Sequence, residues 1–262
     1  MSYYPILNAP NCKGWTTLSN FPPNNWESSD NAKKYVNVSW ADNGIWHTKN
    51  IGVVESNQFR QISIEEVESF VPELSLPLLS MTSSIMPERS TILPDSEVLS
   101  EVPAWRGTLG LSTGSATTSY QGEIDPFPAK ASLLTFCPFL QLGIDVSNYL
   151  IFLNIEKSPV SRKSQLDIYN PMNTEVVLGT FEVRNNSATV INLDNLDFKL
   201  EDFPMIMCQG MTGIPVYFSV SKDGSFVSLE HTHPPASLVI HGDRRGAQKI
   251  LKNKWFSKVS KS

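Results

Sequence analysis

The sequence predicts a mainly β protein: an antiparallel β-sandwich, jelly-roll-like or Ig-like, with an irregular aromatic-rich N-terminal segment in front and a C-terminal amphipathic helix behind. Apolar runs of about five to nine residues recur every ten to fifteen or so after Trp105, which is the spacing of sandwich strands. Turn formers separate them, at Pro159, Asn170-Pro171, Asn185-Asn186, Asp223-Gly224 and Pro234-Pro235. The composition agrees. With 40% apolar and 18% charged residues, and Asn, Ser, Thr and Pro supplying much of the rest, it suits short strands joined by polar turns.

Residues 1–61 hold four of the six tryptophans, Trp15, Trp26, Trp40 and Trp46. YVNVSW and NIGVVES alternate as strands do, and Asn43-Gly44 is a two-residue hairpin signal between Val36-to-Trp40 and Ile45-to-His47. Large aromatics here serve either as the core of a small β unit or, for Trp26 and Trp46, as a stacking platform for a ligand ring. Residues 62–103 form an acidic Pro/Ser-rich connector. From Ile62 to Val102 there are eight acidic residues against Arg89 alone, with prolines at 72, 77, 87 and 94, and the piece reads as lying over the surface of the main domain. Within it, Ser63 followed by Glu66 is a capping-box pattern that starts a short helix over Ile64 to Phe70, stopped by Pro72.

Residues 104–243 carry the sandwich. Val216 to Val220 alternates between a buried and a solvated face, whereas Tyr149 to Leu153 is apolar throughout and belongs at the centre of a sheet. The tail, 244–262, changes period: Ala247, Leu251, Trp255 and Val259 are spaced by four, giving an apolar stripe on a basic helix. Seven basic residues and no acidic one fall in this tail, so the first 243 residues carry a net charge of −12 although the whole chain carries −5. Its contacts are therefore anionic: the chain's own acidic connector first, and nucleic acid or an anionic membrane reached through Arg244 to Lys261 second.

No run approaches the roughly 18 apolar residues of a membrane span. The N-terminus lacks the basic, apolar and small-residue order of a signal peptide, so the expected location is cytoplasmic. Cys12, Cys137 and Cys208 are an odd set without CxxC spacing, and they read as buried free thiols.

Two constellations can carry chemistry. In SLEHTHPPASLVIHGD, His231 and His233 share a strand face, as HxH pairs do in metal-binding barrels of the cupin kind. The acidic residue that should follow them is replaced by Pro234-Pro235, and a reversal through Pro234 to Ser237 sets His241 opposite Glu230 on the other face. His231, His233, His241 and Glu230 are thus candidates for acid-base catalysis, and no metal set is assigned. In WRGTLGLSTGSATTSYQGEID, glycines at 107, 110, 114 and 122 spread among hydroxyls; Arg106, Tyr120, Gln121 and Glu123 make either a polar recognition surface or a strand-connecting loop. No GxGxxG or HExxH pattern is present, and no cofactor is indicated.

The function expected is non-enzymatic recognition of a glycan, peptide or protein ligand on a β-sandwich. The alternative is a cupin-like or acid-base enzyme, a hydrolase or isomerase on a sugar-like substrate, working at the histidine cluster.

Overall fold

The computed structural model describes residues 3–21, 33–94, 107–129, 132–137, 145–170, 173, 175–197, 204–231, 253, 254 and 257. In chain order these form β1 (Tyr4–Pro5), β2 (Lys13–Asn20), β3 (Lys34–Asp42), β4 (Ile45–Val54), β5 (Gln58–Ser63), α1 (Ile64–Val67), β6 (Leu78–Thr82), β7 (Arg89–Ser90), β8 (Thr108–Thr113), β9 (Ala116–Gln121), β10 (Leu133–Phe136), β11 (Val146–Asn154), β12 (Lys163–Tyr169), β13 (Val177–Arg184), β14 (Ser187–Asn192), β15 (Met205–Cys208), β16 (Ile214–Ser221) and β17 (Val227–His231). The protein is mainly β, with antiparallel pairing throughout and no closed barrel among the described residues. Four sheets have the strand orders β1-β6-β3-β4-β7, β5-β2-β8-β9, β14-β11-β16-β17 and β10-β15-β12-β13.

Local signals explain several elements. Asp42 pairs with Ile45 across Asn43 and Gly44, whose φ angles of 48° and 74° are those a two-residue mirror-image turn requires. At α1 the capping box forms, with the Ser63 N–H donating to Glu66 Oε1 at 3.0 Å. The helix is shorter than expected: regular turns end at Val67, and Phe70 and Val71 bond back to its carbonyl. Asn185-Asn186 takes the chain from β13 into β14, in a different sheet, with Asn186 at φ 52°. The N-terminal segment, expected to be irregular, carries the regular strands β2 to β5. In β2, buried Gly14, Thr16, Leu18 and Asn20 alternate with half-exposed Trp15, Thr17 and Ser19.

The acidic stretch differs most from its reading as a surface connector. Leu78–Thr82 is β6, buried at every position and paired with β1 on one side and β3 on the other. A short apolar run between Pro77 and the polar residues beyond Thr82 has too few residues to show a period, so its tertiary partners alone reveal it as a strand.

Three cores hold the sheets together. Val36, Val38 and Leu79 pack against Leu18, Ile62 and Val67. Leu150, Phe152, Ile191 and Tyr217 pack against Leu166, Ile168, Val183 and Ile206. Between these lies a third core in which Tyr149, Ile151, Leu153, Val216, Phe218 and Leu229 meet residues from the first half of the chain, among them Tyr3, Leu7, Trp46, Leu78, Leu109 and Leu111. Tyr149 and Phe218, directly paired in register, stack with ring centroids 4.8 Å apart. In the sheet of β14, β11, β16 and β17 the central strands β11 and β16 are therefore buried on both faces, so Val216 to Val220 lacks the solvated face expected of it and β11 reads as a continuous apolar run rather than an alternation.

One consequence is testable. Phe152 is fully buried and Phe59 is 66% exposed. Phe152→Ala is expected to lower the unfolding free energy by about 3–5 kcal/mol in urea titration, whereas Phe59→Ala shifts it by about 0.5 kcal/mol or less. Equal effects would remove β11 from the core.

Candidate functional site

A cavity of about 220 Å³ forms where the β9 end of one sheet meets the ends of β11 and β16. Glycines set its wall. A Cβ at Gly107 would strike the Tyr4 ring and one at Gly122 the Leu109 side chain, so only glycine lets the chain leave β9 this close to its neighbours. Gly122 N–H then donates to Gly107 O at 3.3 Å. Two residues on, Ile124 and Tyr3 exchange backbone hydrogen bonds of 2.8 and 2.9 Å, and the Phe127 N–H donates to Ile155 O at 2.7 Å. The 120–127 stretch is thus stitched to the N-terminal strand on one side and to the chain just beyond β11 on the other.

The floor of the cavity is apolar, built by Pro5, Ile124, Leu153 and Ile214, the last two being register partners on β11 and β16. Its wall carries Tyr120, Gln121 and Glu123. Burial pushes the Tyr120 phenol well above its usual range, so it stays a neutral hydroxyl. Gln121 Nε2 donates to Glu123 Oε1 at 3.2 Å. The other carboxylate oxygen, Glu123 Oε2, is buried with no hydrogen-bond partner. An unsatisfied buried acceptor costs about 1–3 kcal/mol and more when charged, so this oxygen stands out from the surrounding chemistry.

Three of the residues expected to recognise a ligand therefore come together: Tyr120, Gln121 and Glu123. Tyr120 and Gln121 belong to strand β9 rather than a loop, and Glu123 follows two residues later. Trp46 does not join them. It is 1% exposed in the shared core, and its indole N–H donates to Lys157 O at 2.9 Å, so its ring has no face to offer a ligand. Trp26, Arg106, His233 and His241 lie outside the described residues, as does most of the basic tail; its three described residues, Asn253, Lys254 and Ser257, are exposed. His231 ends β17, paired with Val216, and Glu230 is exposed opposite Tyr217. Among the described residues no three His, Cys, Asp or Glu side chains gather as a metal site. No helix among them is long and apolar enough to cross a membrane.

Sequence reasoning missed the floor. Leu153 and Ile214 reach Tyr120 only through the sheet packing, and nothing in their local sequence marks them as pocket residues. It also missed a buried polar corner. Glu156, 4% exposed, pairs with Arg162 Nη2 at 2.5 Å, while Arg162 Nη1 donates to Gly210 O at 2.7 Å. Asn185 and Asn186 complete it, Asn185 Oδ1 accepting from Arg162 N–H and Asn186 Oδ1 from Glu156 N–H, both at 2.7 Å. Every member is bonded to another, so the corner locks the passage between two sheets.

A second concavity, a groove of about 330 Å³, lies on β12 and β13 between Lys163, Gln165, Thr180 and Glu182. Its charges are already matched: Lys163 Nζ lies 2.8 Å from Glu182 Oε1 and holds that carboxyl below its ordinary range.

Neither a protein-family model nor a curated protein sequence matches this chain. The site is read from its own chemistry.

That chemistry does not include a reactive thiol. Burial pushes Cys12 up to about 11 and Cys137 up to about 12, the latter against a hydrogen bond with Tyr217 that pulls the other way. Cys208 is raised mainly by burial too. With the thiolate suppressed by two units or more, alkylation of Cys12 and Cys137 by iodoacetamide at pH 7.5 is expected to run roughly a hundredfold slower in the native protein than in urea. The rate should climb only as the pH nears 11. A native thiol modified as fast as an unfolded one contradicts this.

Proposed function

We propose that the protein is a non-enzymatic recognition module: a β-sandwich that binds part of a glycan, peptide or protein ligand in the cavity beside Tyr120. The observation that carries this reading is the juxtaposition of an apolar floor with three polar side chains that converge from one short stretch of chain. Ligand sites combine those two kinds of surface, the apolar part giving affinity and a few polar groups fixing orientation. The volume suits a single ring or side chain rather than a whole drug-sized molecule. The buried-thiol chemistry and the described surroundings of Glu230 lend nothing to a nucleophilic or acid-base alternative. A cytoplasmic setting belongs to the same proposal, since Cys12, Cys137 and Cys208 are free thiols.

The test is to plug the cavity. Ile214 is half-buried at the first position of β16, and Ile214→Phe adds bulk at the floor for about 1–3 kcal/mol of overpacking. Glycan and peptide arrays probed with the full chain should yield a ligand whose affinity falls at least about tenfold, or 1.4 kcal/mol, in Ile214→Phe while the far-ultraviolet circular dichroism is unchanged. A ligand held equally well by the plugged variant would put the site elsewhere.

A further inference from the structure

Resting on that reading, we propose that the cavity selects a cationic group, the guanidinium or ammonium end of a basic side chain or small amine, with Glu123 as its counter-ion. Glu123 is the one charged residue among the described residues that line the cavity. Its Oε1 is engaged by Gln121 and its Oε2 is buried without a partner, so that one oxygen has lost solvent without gaining a donor. A carboxylate in that position is stabilised most by a charge-assisted bond, and guanidinium presents two parallel N–H donors to both oxygens at once.

The remaining lining fits the same ligand. Ile124, Leu153 and Ile214 supply an apolar surface for the methylene stem of Lys or Arg, which buries its carbons while its head stays polar. Tyr120 adds an aromatic ring to the wall, and aromatic faces attract cations. The approach has a physical route. Gln121 is exposed and its 3.2 Å bond to Oε1 is a surface contact, so a turn of the Glu123 side chain exchanges an amide donor for a cation and brings Oε2 to the ligand. Gln121 then acts as a placeholder that keeps the carboxylate in position when the cavity is free. At longer range the net charge of −12 over the first 243 residues draws cations and repels acidic ligands.

The experiment follows backbone amide shifts of Gly122 and Ile124 in the full chain as three probes are added: acetyl-Gly-Arg-Gly-amide, its uncharged citrulline counterpart, and agmatine. Saturable shifts from the arginine peptide at least about tenfold tighter than from the citrulline peptide are expected. That preference should vanish in Glu123→Gln, which keeps the shape and the Gln121 contact, and persist in Gln121→Ala. Agmatine binding as tightly as the peptide would identify a free amine as the ligand form; weaker binding would identify a peptide side chain. Equal binding of arginine and citrulline peptides, a preference that survives Glu123→Gln, or no binding of either cation overturns the proposal. If methyl glucoside or another neutral probe shifts the same amides instead, recognition at this cavity stands and its cationic specificity falls. If array ligands and probes alike leave those amides unmoved, both readings fall.

Discussion

One sheet with two buried faces governs this structure. In β11, Tyr149, Ile151 and Leu153 face the core shared with the first half of the chain, while Leu150 and Phe152 face the core closed by β12 and β15. β16 divides in the same way, with Val216, Phe218 and Val220 on one side and Tyr217 on the other. Each such side chain contributes about 1.5–3 kcal/mol by leaving water, so the strands at the middle of the molecule hold it from both directions. Asn148 is held by a polar pair: directly opposite Ser219, it accepts the serine hydroxyl at 2.6 Å and donates to Asp194 just beyond β14. A buried sheet tolerates polar groups only where such pairs exist.

The cavity is a product of that constraint. Near the ends of β11 and β16, Leu153 and Ile214 supply the floor and the Tyr120-to-Ile124 segment supplies the wall. Because its floor belongs to the most buried sheet and its wall is tied at Tyr3 and Ile155, the cavity is held in shape without a ligand. Sites held in this way lose less entropy on binding. The opposite requirement is met at the Glu156–Arg162 corner, where charge and amide groups bond to one another and to nearby backbone carbonyls.

What was legible in the sequence was what adjacent residues decide. Asn43-Gly44 specifies its hairpin through positive φ, Ser63 and Glu66 specify a helix start, and the unbroken apolar run at Tyr149 to Leu153 announces a strand covered on both sides. β6 was hidden because prolines and carboxylates surround five residues whose only distinguishing property is what they pair with. β9 was hidden because ATTSYQ lacks apolar alternation, its six residues alternating only between half-exposed and exposed. Tyr120, Gln121 and Glu123 could be singled out as polar residues among glycines, but Pro5, Leu153 and Ile214 of their floor come from strands 30 and more residues away and depend on packing that no local pattern encodes. Trp46 shows the converse: its size made it a candidate platform, and size is also what the shared core needed.

If the doubly buried sheet is the central constraint, residues 104–243 should not fold by themselves, because Tyr149, Ile151, Val216 and Phe218 would then face water in place of Leu7, Trp46 and Leu78. The direct measurement is urea unfolding and the amide spectrum of that fragment beside those of the full chain. The account predicts a collapsed spectrum and no cooperative transition for the fragment, with a single sharp transition for the full chain. A fragment with dispersed amides and its own cooperative unfolding would contradict it.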